Sequence, residues 1–243
     1  MIISEEKTSI GEESIEPYRE NNYFKWQTSK NLIKNLPKND RYLLSDLLVY
    51  VDPLDATQEF SEDLLEYVTV MLCVTVRGKP IVGVIHRPFF NETVVGLVDH
   101  GVYPENYRNF QQNAVDSPKV VIVSRSHGGK VKALLSDAFT TDANQFRIES
   151  AGGSGYKALR LVNRTADFYT HVTQLKKWDA CAPDALVRAA GGRVTDLDGM
   201  DINYSVDRDD SLMLRRGFLA SMNDHVRFLA KFRRFLPENG TKA

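Results

Sequence analysis

Two long β-rich runs meeting at a short break constrain this chain most. Residues 67–76, YVTVMLCVTV, and 81–88, IVGVIHRP, are separated by Arg77-Gly78-Lys79-Pro80. Valine, isoleucine and threonine at this density suit a pleated, half-buried surface, and a glycine-containing break of this length reads as a hairpin. TVVGLVDHGVY (93–103) continues the meander as a third strand. LLVYV (47–51) reads as a buried strand running straight into VDPLDATQEF (51–60). Residues 4–42 read as polar and loop-like, and NYRNFQQNAVDSP (106–118) as a linker.

The second half has a different rhythm. KVVIVS (119–124), FRIES (146–150) and ADFYTHV (166–172) read as strands. GGKVKALLSDAF (128–139), the amphipathic YKALRLVN after AGGSG, WDACAPDALVRAAGG (178–192) and HVRFLAKFRRFL (225–236) read as helices, the third with a Gly-Gly stop. A strand pair around Asp198-Gly199 and a GFLAS strand (217–221) complete the pattern. Hairpins followed by strand–helix alternation predict layered sheets and helices.

Composition narrows function by exclusion. The 243 residues suffice for one large domain or two smaller ones. Thirty-one Lys+Arg against 32 Asp+Glu leave a net charge of −1, unlike the basic excess of a nucleic-acid binder. Two cysteines, Cys73 and Cys181, lie far apart without CxxC spacing, so neither a disulfide framework nor a structural zinc site is expected. MIISEEKTSIGEES is too polar for a signal peptide or anchor. No run of about 18 apolar residues occurs. Four N-x-[S/T] sequons, at Asn91, Asn163, Asn203 and Asn239, permit a secretory life.

The chemistry concentrates in a few segments. In Asp52-Pro53-Leu54-Asp55-Ala56-Thr57 a strand end offers two carboxylates and a carbonyl, with Pro53 stiffening the turn. Mg²⁺ takes oxygen ligands of this type in a tight octahedron. Thr57 can hold a water, and the Ala56 and Thr57 amides can meet a phosphate at a helix start. The plainer alternative is a strand-ending turn. Asp179, after Trp178, reads as a helix N-cap or as a further carboxylate facing the same cations. Gly152, Gly153 and Gly155 allow close backbone approach to a ligand, with Lys157 behind them as a point charge, while Ser124 and His127 are donors at a strand end. A flexible turn and a surface histidine are the alternatives. Dinucleotide and P-loop fingerprints are absent. DLDGMD (196–201) mimics a calcium loop, but its glycine stands at the fourth position instead of the sixth, so it reads as a hairpin turn.

Asp52 to Thr57 together with Trp178-Asp179 resemble the two signatures of the inositol monophosphatase superfamily, lithium-sensitive and magnesium-dependent phosphatases. Ala56 replaces the usual glycine before the threonine. With Gln58-Glu59 following, and with HRPF, VSRSH, AGGSGYK and HVTQLKKWD, the chain resembles the Golgi-resident branch that hydrolyses 3′-phosphoadenosine 5′-phosphate. The likeness runs from about residue 3 to 235. It implies that Glu5, Asp52, the Leu54 carbonyl, Asp55 and Asp179 bind two or three Mg²⁺, with Glu12 as a rival to Glu5. Thr57 would help activate the attacking water, and Ser124, His127, Gly153 and Lys157 would contact substrate. The implied reaction is direct attack of water on a phosphomonoester, with inversion at phosphorus.

The resemblance further implies an α/β (α+β) layered αβαβα fold in two parts, residues 1–117 and 118–243. A small-molecule substrate, a homodimer and a Golgi-lumen location follow from it, or the cytosol for an anchor-less product. The family's long block ahead of the glutamate motif carries paired helices and an aspartate that works with the threonine. In this chain the motif begins at residue 3, so the first helical layer and that aspartate are expected to be missing. Apolar sheet surface would then be uncovered.

Overall fold

The computed structural model describes residues 1–6, 41–108, 118–125, 146–206 and 212–233. The helix expected over 128–139, together with His127, Glu12 and Asn239, lies outside them.

Arg77 and Gly78, with φ of 48° and 75°, form the two-residue turn that joins strands β3 (Thr69–Val76) and β4 (Lys79–Arg87). Positive φ at both positions is what a primed hairpin turn requires. The remaining members of this sheet are β1 (Ile2–Ser4), β2 (Leu47–Asp55), β5 (Glu92–Leu97) and β6 (Gly101–Tyr103). All six stand in sequence order, antiparallel except for β1, which runs parallel to β2. The single strand expected over 93–103 is two strands, because the chain turns where the His100 amide donates to the Leu97 carbonyl.

The second sheet takes β7 (Lys119–Ser124), β8 (Phe146–Ala151), β9 (Phe168–His171), β11 (Arg193–Thr195) and β13 (Phe218–Ser221) in the order β11-β13-β9-β7-β8. β7 is parallel to both its neighbours, whereas β13 is antiparallel to β9 and β11. A two-stranded ribbon, β10 (Leu175–Lys176) with β12 (Met213–Leu214), stands apart. The mixture of sheets and helices is of the α+β class.

The expected strand pair around Asp198-Gly199 does not form. Asp196 closes that loop on itself by accepting the amides of Asp198 and Met200. The chain beyond is drawn to the first sheet instead. The Tyr204 amide donates to the Gly78 carbonyl, and its buried hydroxyl donates to Asp184. The Tyr204 carbonyl in turn accepts the Tyr50 hydroxyl.

Four α-helices complete the described residues: α1 (Thr57–Ser61), α2 (Ser154–Val162), α3 (Lys177–Ala189) and α4 (His225–Arg233). Helix α3 is the seam of the molecule. Its small-residue face lies on β4 and β5 at two glycines. A Cβ at Gly83 would stand 2.6 Å from the Ala182 carbonyl and 2.8 Å from the Ala185 Cβ, and one at Gly96 2.8 Å from Leu186. The two cysteines, not expected to pair, are joined: Cys73 of β3 and Cys181 of α3 form a disulfide across this seam. Spacing rules address neighbours in sequence. Here the fold brings together residues 108 apart.

Gly83→Ala should destabilise the chain by about 1–3 kcal/mol through overpacking against α3, read as a lower denaturant midpoint with an unchanged slope.

Candidate active site

The site begins with a fault in a ladder. Asp52 pairs with Met71 and Asp55 with Thr69, so three steps along β2 match two along β3. This one-residue bulge falls at Pro53-Leu54. Proline has no amide to give to the ladder and is tolerated at such a point. In a regular strand, residues 52 and 55 would face opposite sides. The bulge shifts the phase, and both carboxylates turn to the buried face. The Leu54 carbonyl accepts the Thr57 hydroxyl at 3.0 Å, and the Asp52 carboxylate accepts the Leu54 amide.

Asp55 reaches across to the second half. Its carboxylate accepts the amides of Ser154 (3.1 Å) and Gly155 (2.9 Å), the start of α2, and the Thr69 hydroxyl at 2.7 Å. The glycines of AGGSG serve this approach. A Cβ on Gly155 would lie 2.2 Å from the Thr69 hydroxyl, and one on Gly153 2.9 Å from Asp55 itself. Gly153 also has a φ of 59°, which glycine adopts without cost.

The other two carboxylates come from strand and helix starts. Glu5 directly follows β1, its amide bonded to the Val51 carbonyl, and its carboxyl shares a hydrogen bond with Asp52. Asp179 is not the N-cap of α3 but its third residue, and its carboxylate accepts the amide of the N-cap, Lys176. This bond from the N3 carboxylate back to the N-cap amide accounts for a helix cap three residues ahead of Asp179.

Burial, then the neighbouring charges of Asp55, Asp179 and Glu5, push the Asp52 carboxyl up to about 9. Burial and Asp55 raise Asp179 to about 7. Both shifts express the cost of holding negative charge in a buried, acidic neighbourhood, a cost that a cation placed there would relieve. The donors are all oxygens, the set a hard divalent ion prefers. Among the described residues no three His, Cys, Asp or Glu side chains are drawn up as a finished metal shell. Their oxygens are engaged instead with Glu5, the α2 amides and Lys176.

Lys157 lies buried behind the carboxylates, its ammonium 3.5 Å from the Ala151 carbonyl and 5.1 Å from the Tyr169 ring centroid. Burial lowers it to about 8, against the pull of Asp55, Glu59 and Asp179. Ser124 ends β7, and its hydroxyl lies 3.1 Å from Nδ1 of His171, whose Nε2 is 2.8 Å from the Thr173 hydroxyl.

Sequence reasoning missed Thr69, Ser154 and His171. Ser154 matters through Pro183. In a regular helix the amide of residue 183 would bond the Asp179 carbonyl, but proline has none. The Ser154 hydroxyl takes that place at 2.7 Å. A proline four residues after a candidate ligand was the available signal.

A family model described as the inositol monophosphatase family matches residues 2–235. The chain belongs to the inositol monophosphatase family. Members of the family are phosphatases and are generally Mg²⁺-dependent. The chain is 50% identical over 188 residues to a Danio rerio protein named inositol monophosphatase 3, covering 74% of this chain and 51% of that one. It is 43% identical over 182 residues to a Mus musculus protein named Golgi-resident adenosine 3′,5′-bisphosphate 3′-phosphatase, covering 72% and 49%. The chain thus spans about half the length of these relatives. Bacteroides thetaiotaomicron CysQ, a bacterial member of the family, shares the fold. Its TM-score is 0.64 at 21% identity, over 91% of this chain and 77% of that one.

Two expectations follow for this family member. Ala56 stands where φ is 70°, a region that costs an L-residue about 1–2 kcal/mol. Ala56→Gly should raise stability by about 1 kcal/mol in denaturant unfolding. The second concerns pH. Asp52 and Asp179 hold protons more tightly folded than at their ordinary value of 3.8. Their contribution to stability is therefore full below about 4 and is lost as pH rises through about 7 and then about 9. Across that window the melting temperature in chelator should fall relative to that in Mg²⁺, and the gap should widen with pH.

Proposed function

We propose that this chain carries the metal-binding and substrate-binding parts of a Mg²⁺-dependent phosphomonoesterase that converts 3′-phosphoadenosine 5′-phosphate to AMP and phosphate. The observation that carries the reading is the meeting of four carboxylates, Asp52 and Asp55 buried on β2, Asp179 partly buried on α3 and Glu5 exposed just after β1, with Asp52 and Asp179 raised by burial and by their neighbours. In this reading Glu5, Asp52, the Leu54 carbonyl, Asp55 and Asp179 hold two or three Mg²⁺. Such ions lower the pKa of a water and stabilise charge on the leaving oxygen.

The chain's own groups have separable tasks. The Thr57 hydroxyl, donating to the Leu54 carbonyl, keeps its lone pairs free to accept a hydrogen bond from the attacking water. The buried Lys157 ammonium offsets part of the carboxylate charge beside the phosphate. Ser124 and His171, with Gly153 and His127, contact the rest of the substrate. His171 is held between two hydroxyls, so its ring is oriented before substrate arrives.

The adenosine bisphosphate substrate is supported by the relatives named for it, at 39–43% identity, and by Gln58-Glu59 after the threonine. An inositol monophosphate is the second reading, favoured by the 50% identity to a protein named inositol monophosphatase 3. A Golgi-lumen location fits the same relatives and the Cys73–Cys181 disulfide, since such bonds persist in oxidising compartments.

Phosphate release by the 1–243 chain in Mg²⁺ should be faster from 3′-phosphoadenosine 5′-phosphate than from inositol 1-phosphate. The reverse order would select the second reading, and release from neither would leave only a metal-binding portion. Thr57→Ala should lower the rate by about 100-fold or more. Asp55→Asn should abolish it, and full activity in both variants would overturn the mechanism.

A further inference from the structure

Helix α3 is held firmly at its body and loosely at its head. From Ala182 onward it is seated on Gly83 and Gly96 at backbone contact distance. Its first turn, which carries Asp179, lacks the bond that Pro183 cannot give. Three ties replace it. The Ser154 hydroxyl donates to the Asp179 carbonyl, the Lys177 ammonium donates to the Ser205 carbonyl, and Cys181 is bonded to Cys73 of β3. Only the last is covalent. It joins the helix two residues past Asp179 to the strand beside β2, where Cys73 pairs with Tyr50, two positions before Asp52.

We propose that the Cys73–Cys181 disulfide positions Asp179, so that the redox state of this pair sets how tightly the centre binds a divalent cation. The proposal rests on Asp179 being a ligand, as in the function proposed above. A soluble dithiol can open the bond by exchange: the Sγ–Sγ bond breaks, each cysteine gains a proton as a thiol, and the dithiol is oxidised to its own disulfide. Both sulfurs are buried, so the exchange requires the head of α3 to open.

The head then keeps, among the described residues, only non-covalent ties: those of Ser154 and Lys177, the Lys176–Asp179 bond and the pairing of Lys176 with Met213. Asp179 departs from the pose in which it accepts the Lys176 amide, while the sheets and the body of α3 keep theirs. That amide reports the pose with no metal present.

The test compares the chain with its disulfide intact and after dithiothreitol, with thiols counted by alkylation and mass spectrometry. Amide hydrogen exchange at Lys176 is followed beside Met71 and Ile85 of the sheet. On reduction, protection at Lys176 should fall about tenfold with the sheet amides unchanged. The Mg²⁺ dissociation constant from calorimetry should rise about 10-fold, as when a group supporting a metal ligand is lost. The Cys73→Ala/Cys181→Ala double variant should behave like the reduced chain without reductant. Unchanged protection at Lys176 once two thiols appear overturns the proposal. So does parallel loss across the sheet, which would make the bond a general staple. If the oxidised chain binds no Mg²⁺, the metal assignment falls, while the exchange at Lys176 still decides whether the disulfide positions Asp179.

Discussion

Asp55 is the interaction on which the rest depends. Its carboxylate is rooted in the first sheet and takes both opening amides of α2 from the second half, with Thr69 as a third donor. One charged group thereby ties the first sheet to the start of α2, beside the α3 seam, the disulfide and the Tyr204 bonds. The glycines around it follow from that demand for close approach. A carboxylate with three donors is held in one orientation, as a group facing a cation must be.

The bulge at Pro53-Leu54 solves a problem of periodicity. Two carboxylates three residues apart cannot share a face of a regular strand. One unpaired residue in β2 makes them neighbours, at the cost of crowding like charges in a buried place. Burial first, and that crowding after it, raises the proton affinity of Asp52 and Asp179.

Much of this was legible in the sequence, for identifiable reasons. The Arg77-Gly78 hairpin and helix α3 announce themselves through local propensity and apolar spacing, which act over a few residues. The acidic cluster was legible as composition around Pro53 and Trp178. What stayed hidden depends on register or on distant partners. The bulge is visible only once β2 is set against β3. The disulfide joins residues with no local relation, so counting cysteines pointed the wrong way. Asp179 moved from N-cap to third residue because Lys176, an unremarkable capping residue by side chain, supplies its amide. The Asp198-Gly199 segment looked like a hairpin because its turn is real. Tyr204 then drew the following residues to the other sheet.

The glycine seam under α3 has a consequence for how this chain can change over time. With Ala182, Ala185 and Leu186 seated on Gly83 and Gly96, the helix cannot roll on the sheet. The direction in which Asp179 points is then fixed by the count of residues between it and the seam. A single insertion or deletion there would swing the carboxylate by about 100° around the helix axis. The length of this short interval therefore constrains the centre as much as the residues that fill it.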